Sequence, residues 1–383
     1  MALTKISYRA LAWSEQQLVA DSLAAVRVDE PGQAPVLWFP RMDVCLQRDG
    51  TGTDSKYILS QGTAELLGYV ALDPDRMRFE LIDTVNGEVQ QQVSVKRFPN
   101  WGDAVDLIDM IDVRHHDAGT YTSVARADWR RPVVEASQML GQAIVAAMRH
   151  SGGRRVVSAA MIFMRVADSR LPLTFVVDVL THGRTFSSLA VRVEQNDRLC
   201  ASGTMLLDAT APDVIRHTVA APDVAGPYDC PAHDMGVTGR DIRVVDGAYT
   251  GDPAAAVGPP ILDAWVRFRD VPSDPAIHAG LLAQFCGHLS IGAALRAHAG
   301  VGEQQAHVSL STGINAISIS FHSDVRADQW ILYHHLSTAA GDGMTHSECR
   351  AHDELGNLVA SFTVDAMVRG FAGGTSGDYR SSM

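Results

Sequence analysis

His288 is the first residue in this sequence to weigh for chemistry. Its imidazole titrates near neutrality, so it can take up and return a proton as a general base. Asp365, in TVDAMVRG, offers a carboxylate that can act as a base or hold a water, and Asn315, in STGINAISIS, offers an amide that can polarise a carbonyl. Each has a plainer alternative. His288 can be a hydrogen-bonded histidine on a buried helix, Asp365 an outward strand residue paired with Arg369 or solvent, and Asn315 a turn former at a strand end. Glu135 opens an earlier helix, where an acid also simply favours the helix dipole. The pairs His115–His116 and His334–His335 are adjacent on strands, so their side chains point to opposite faces, and no metal site is expected.

These residues need elements to hold them. His288 lies in DPAIHAGLLAQFCGHLSIGAALRAH (274–298). Asp274 can cap a helix and Pro275 suits its first position. Ile277, Leu281, Leu282, Phe285, Leu289 and Leu295 recur mostly three or four apart, which predicts one helix over Ile277–Leu295. Small residues crowd it: Ala279, Gly280, Ala283, Gly287, Gly292. Strand-like runs follow: HVSLSTGINAISISFH, QWILYHHLST, MTHSECRAHD and NLVASFTVDAMV. The same order occurs earlier, with VVEASQMLGQAIVAAMRH (133–150) predicting a helix around Gln138–Met148, then VVSAAMIFMRV, LTFVVDVL, TFSSLAVRVEQ and LCASGTMLLD. Phe163 stands where Phe321 stands, and Leu199–Ser202 where Leu358–Ser361 stand. The chain therefore holds a diverged internal repeat of a helix and an antiparallel sheet.

Composition bounds the rest. The 383 residues suggest two or three domains, and 46% hydrophobic with 20% charged residues describes a globular chain with sizeable cores. A net charge of −12 argues against a nucleic-acid partner, without excluding a local basic pocket. Five scattered cysteines form no CxxC pair, which suggests neither a zinc knuckle nor a disulfide framework. No segment has the length of a membrane span and the N-terminus has no leader pattern, so a cytoplasmic location is the expectation, with no cofactor. There is no GxSxG elbow and no phosphate-binding loop. The expected domains are a small β-rich domain at 1–100, first and second repeats at 101–212 and 239–371, a linker at 213–238 within the Pro/Gly-rich stretch Ala211–Pro260, which holds one strand candidate at Asp241–Val245, and a disordered tail at 372–383.

Two resemblances add to this. VADS, EPGQAPVLWFPRMDV and GYVALDPDRMRFELID are similar to a small bacterial domain family of unknown function, sometimes labelled nucleotidyltransferase-like. Its central Cys-Pro-x-Lys-Gly segment is shortened here to GTGTDSKY, with Lys56 alone corresponding, so a structural or docking domain is expected. Over roughly residues 105–370 the chain resembles the double-hotdog type II acyl-CoA thioesterases. Gln138, Gly141, Gln142 and Ala143 match the family's first helix, with Ala136 and Ser137 replacing two glycines. Phe163, Arg165, Asp168, Gly183, Arg184, Phe186 and Ser187 match its following strands, and WVRFRDVPSDPAIHAGLLAQF, SFHSDVRADQWILY and DELGNLVAS continue the match in the second half.

The resemblance implies an α+β tandem hotdog fold, with two antiparallel sheets joined into one and each wrapped around a helix. It implies an acyl-CoA or other acyl thioester as ligand, with Gly287, Gln138, Arg165 and His322 as substrate contacts, Arg184 or Arg267 available to phosphates, room for a homo-oligomer, and an acyl chain lodged beside Ala283, Gly287 and Gly292. The family holds its attacking water with an Asp, a Thr or Ser, and a Gln. Those positions fall here on Gly287, Ile314 and Val364. One residue away stand His288, Asn315 and Asp365, a chemically usable set. The expected function is an acyl-CoA thioesterase-like protein with a replaced catalytic set, weak on ordinary acyl-CoAs. The alternative is a catalytically silent acyl-binding or assembly protein.

Overall fold

The structure is a computed structural model. It describes residues 2–6, 8–29, 36–45, 58–62, 66–74, 76–85, 88–95, 102–125, 132–233, 237–248 and 251–371. Lys56, the boundary expected near Asn100 and the tail expected from 372 lie outside the described residues. The chain divides into two compact units, the first built from 1–103 with 127–130 and 234–240, the second from the remainder.

The first unit is all β. Its strands are β1 (Ala2–Lys5), β2 (Arg9–Ser14), β3 (Gln17–Ser22), β4 (Val26–Asp29), β5 (Val36–Pro40), β6 (Ile58–Gln61), β7 (Tyr69–Leu72), β8 (Arg78–Val85) and β9 (Glu88–Val95). They form a five-stranded sheet, β1-β4-β5-β7-β6, and a four-stranded sheet, β3-β2-β8-β9. Apolar residues from both sheets, among them Val19, Leu37, Phe39, Leu72, Phe79 and Leu81, share one core, as expected of two antiparallel layers burying one face each.

The second unit carries the repeat. Its elements are α1 (Ala104–Ile111), β10 (Val113–Asp117), β11 (Thr120–Ser123), α2 (Ala136–His150), β12 (Arg155–Phe163), β13 (Thr174–His182), β14 (Phe186–Gln195), β15 (Arg198–Asp208), β16 (Arg240–Val244), β17 (Ile261–Phe268), α3 (Pro275–Phe285), α4 (Ser290–Leu295), β18 (Leu310–Phe321), β19 (Ile331–Gly341), β20 (Met344–Asp353) and β21 (Leu358–Gly370). One twelve-stranded sheet runs β10-β11-β13-β14-β15-β12-β18-β21-β20-β19-β17-β16. The two halves meet where β12 pairs antiparallel with β18, Ala160 opposite Ser318. This pairing covers the edge that each half would otherwise expose. The architecture is the tandem hotdog fold with an additional N-terminal β-rich region. Among the described residues no helix is long and apolar enough to cross a membrane.

The two long helices are buried nearly all round, which explains their small, apolar composition. They run antiparallel, because the start of α2 meets the end of α3 through Glu135 and Gln284, while the end of α2 meets the start of α3 through Arg149 and Asp274. Gly141 and Gly280 set the distance between them. A Cβ on Gly141 would stand 2.5 Å from the Gly280 carbonyl oxygen, so no larger side chain fits.

The single helix expected over Ile277–Leu295 is two helices. α3 stops at Phe285, the His288 amide turns back to the Phe285 carbonyl at 3.0 Å, and α4 begins at Ser290. Gly287 sits in the break, where a Cβ would stand 2.7 Å from both Ile314 Cδ1 and Ser137 Oγ. Apolar spacing ran straight through this break because Leu289 and Leu295 are also buried.

α4 is anchored by Ser290, whose hydroxyl lies 2.9 Å from His335 Nδ1, with Cys349 Sγ at 3.3 Å from the same nitrogen. Burial, with His334 and His288 nearby, pushes the His335 pKa down to about 3. The unfolded chain binds this proton near pH 6.5 and the folded chain does not until about 3, so the stability His335 contributes is complete above 6.5 and lost as pH falls between those values. Each unit of displacement corresponds to about 1.4 kcal/mol. Denaturant unfolding followed across that window is expected to show this acid limb, and His335→Gln to flatten it; an unchanged limb would contradict the assignment.

Candidate active site

The site is best built from the start of α2. Glu135 precedes the helix in extended conformation and stays partly in solvent, its carboxylate projecting toward the end of α3. Its Oε2 lies 3.5 Å from His288 Nε2 and accepts a hydrogen bond from Gln284 Nε2 at 3.2 Å. The His288 ring is buried and stacked on Phe285, centroids 4.6 Å apart and planes within 6°. A carboxylate from the first half thus faces an imidazole from the second, at the break in the second helix. One residue back, Gly287 is against Ile314 and Ser137. Gly287 and Ile314 are therefore in contact, and neither carries a polar group.

Asn315 is the extra residue of a β-bulge. Ile314 pairs with Ala366 and Ala316 with Asp365, leaving Asn315 between them. Its Oδ1 is buried without a hydrogen-bond partner. The bulge reverses the alternation of the strand, so Ile314, as well as Ile317 and Ile319, shares the helix-facing side with the buried Val364 and Ala366.

Asp365 is not brought to His288. It follows Val364, which is fully buried, so its side chain lies on the opposite face of the sheet, where its carboxylate is 2.6 Å from His346 Nδ1. This pairing replaces the expected partner Arg369. That outer face holds a cavity of about 550 Å³ lined by His346, Glu348 and several hydroxyls, including Ser318, Ser320 and Thr363.

The residues named as substrate contacts divide in the same way. Gln138 is half-buried in the first turn of α2, beside Ser137. Arg165 is exposed just past β12, at the end of the strand whose Ile162 opposes Ala316, so it leaves the sheet on the Asn315 side. His322 lies beyond the other end of β18, bonded to Ser361 Oγ at 2.8 Å. At about 3.3 Å per residue it is a strand length from Ile314. Arg267 is engaged by Asp241 and stacked 4.8 Å over Trp330. The space expected beside Gly287 is filled by Ile314 and Ser137, and the cavity at Gly292 measures only about 20 Å³. Among the described residues no cluster of three His, Cys, Asp or Glu could hold a metal ion.

Glu135 was the residue hardest to select from sequence, since its partners Gln284 and His288 lie in the other half of the chain. The available signal was its place at the opening of a buried helix.

Two half-sheets fused edge to edge around two antiparallel helices define a tandem hotdog protein. The acyl-CoA thioesterase N-terminal domain model matches residues 125–207 and the acyl-CoA thioesterase C-terminal domain model matches 221–368. The chain belongs to the type II acyl-CoA thioesterase-like family. It is 26% identical to acyl-coenzyme A thioesterase 8 of Mus musculus over 259 residues, 61% of this chain and 79% of the relative. It is similar in structure to a tesB protein of Mycobacterium avium subs paratuberculosis, with TM-score 0.60 and 20% identity over 70% of this chain and 100% of that one. An acyl-CoA thioesterase II of Mycobacterium marinum gives TM-score 0.58 and 24% identity over 70% and 99%.

Proposed function

We propose that the protein hydrolyses an acyl thioester such as an acyl-CoA, with the Glu135–His288 pair in place of the family's usual water-holding set. The observation that carries this is the 3.5 Å approach of the Glu135 carboxylate to His288 Nε2, across the helices of the two halves and beside Gly287. A neutral imidazole there can take a proton from water as the water oxygen attacks the thioester carbon. Glu135 stabilises the imidazolium that forms, and the C–S bond then breaks with the proton returned to the leaving thiolate. The backbone N–H groups of the first turn of α2, near Gln138, have no acceptor within the helix and can serve the developing oxyanion. Arg165, exposed on the same side, can meet a phosphate of the carrier.

The second reading, a silent acyl-binding protein, is favoured by the apolar character of Gly287, Ile314 and Val364. Thiol release from acyl-CoAs of graded length separates the two. Turnover by the wild-type chain above the uncatalysed rate is expected. Binding of the same panel without turnover would support the silent protein instead.

A further inference from the structure

The two halves are related by an internal two-fold, and it can be followed residue by residue. Glu135 and Asp274, Gly141 and Gly280, Met148 and Gly287, and Arg149 and His288 all stand at one constant separation along the chain. Gly141 and Gly280 meet each other at the centre of the helix pair. On the sheet, β12 has a bulge at Val157 and β18 has one at Asn315, again at matching positions, with Val156 equivalent to Ile314.

The Glu135–His288 pair therefore has an image at the other end of the helices. That image contains Asp274 and Arg149, 3.2 Å apart. It has the same layout, an acid before one helix and a basic group at the end of the other. The basic group, however, is an arginine that also bonds the Val113 carbonyl and pairs with Asp112. A guanidinium stays charged and cannot act as a proton acceptor.

The two clefts also differ in space. At Gly287 the gap is filled by Ile314 and Ser137. At the image, Met148 and Val156, the counterparts of Gly287 and Ile314, line a cavity of about 650 Å³. This is within the range of roughly 300–1,000 Å³ usual for small-molecule sites. Ala279, Phe321 and Val325 add to its apolar wall. Arginines and aspartates also line it. Arg155 is paired with Asp208 at 2.7 Å and also feels Asp324, and Arg326 is paired with Asp328 at 2.7 Å. Arg154 differs: its guanidinium bonds are to the Ser187 hydroxyl at 2.9 Å and the carbonyls of Gly183 and Arg184 at 2.8 and 3.3 Å, all neutral oxygens. No carboxylate is among those partners, so an incoming anion would meet a guanidinium bonded only to neutral oxygens.

We propose that this cavity is a second ligand site, taking an amphiphile with an aliphatic chain and an anionic head, and that it holds the ligand without transforming it. The chain lies along Met148, Val156 and Ala279, and the head meets Arg154. The head can be the carboxylate of a free fatty acid or a phosphate of an acyl-CoA. The proposal does not depend on hydrolysis at His288.

Calorimetry on the full chain tests it, with dodecanoate and the non-hydrolysable thioether S-dodecyl-CoA as separate probes. At least one probe is expected to give a binding event that Ala279→Phe, which fills the cavity, weakens at least tenfold; thioether held at the Glu135–His288 pair would be a separate event insensitive to Ala279→Phe. Arg154→Gln, which removes the charge and keeps an amide donor, should weaken the same probe by a similar factor, while Glu135→Trp, at the half-exposed acid of the His288 pair, should leave it in place. Dodecanoate binding identifies the carboxylate as the head, and binding of the thioether alone identifies the phosphates. The proposal is overturned if neither probe binds, or if binding is unchanged in Ala279→Phe and Arg154→Gln. Loss only in Glu135→Trp would place the ligand at the Glu135–His288 pair, overturning the second site while leaving the thioesterase reading intact.

Discussion

Replacing His288 with alanine is expected to lower thiol release from the best acyl-CoA substrate by about 10²–10⁴-fold, the usual range for loss of a positioned acid/base group. The loss should fall mainly on kcat, because the imidazole acts on the attacking water rather than on the acyl chain. The neighbouring residues expected to correspond to the family's water-holding set offer no replacement. Gly287 has no side chain, and Ile314 and Val364 are apolar. Asp365 is on the far face of the sheet with His346. Restoring a carboxylate by Gly287→Asp should not rescue the variant, since the new Cβ would lie 2.7 Å from Ile314 and Ser137. Stopped thiol-detection assays on the two variants check this. Wild-type turnover that survives His288→Ala would remove the histidine from the mechanism.

The second large effect is on stability. Asp241, on β16 at the end of the long sheet, is 2% exposed and receives both Arg267, at 2.8 Å, and Arg269. Arg267 is in turn stacked on Trp330. Removing the carboxylate leaves two poorly solvated guanidiniums facing each other. Asp241→Ala is therefore expected to lose about 3–5 kcal/mol of unfolding free energy, the range for breaking one member of a buried ionic group. Replacing Asp241, Arg267 and Arg269 together by apolar residues of similar volume should recover part of that loss, because neither of those guanidiniums is then left buried without its carboxylate, although Arg243 nearby still loses Asp241. Denaturant midpoints for the single and triple variants give the answer, and a single variant as stable as wild type would contradict it.

Much of the fold was legible because it rests on local patterns. The spacing of Leu140, Ile144 and Met148, and of Ile277, Leu281 and Phe285, marked both helices. The repeated phrases LCAS and LVAS marked equivalent strands. The site was less legible, for physical reasons that can be named. Counting back from Phe321 by strict alternation gives Asn315 the same face as Ile317 and Ile319. The bulge at Asn315 inserts one residue and transfers that face to Ile314. No such shift occurs near Asp365, so alternation alone places it opposite Val364, away from the helices. The helix break at Gly287 is made by a tertiary contact with Ile314 and Ser137, which no local propensity reports. The Glu135–His288 approach depends on the two helices running antiparallel, a property of the joined halves.

The central claim is that Glu135 and His288 act as one unit across those halves. A double-mutant cycle on kcat, using Glu135→Gln, His288→Ala and the double variant with one acyl-CoA substrate, tests it most directly. The pair predicts that the double variant is no slower than His288→Ala alone, because a carboxylate with no imidazolium to stabilise has nothing further to lose. Fully additive losses, or an unaffected rate in Glu135→Gln, would contradict it.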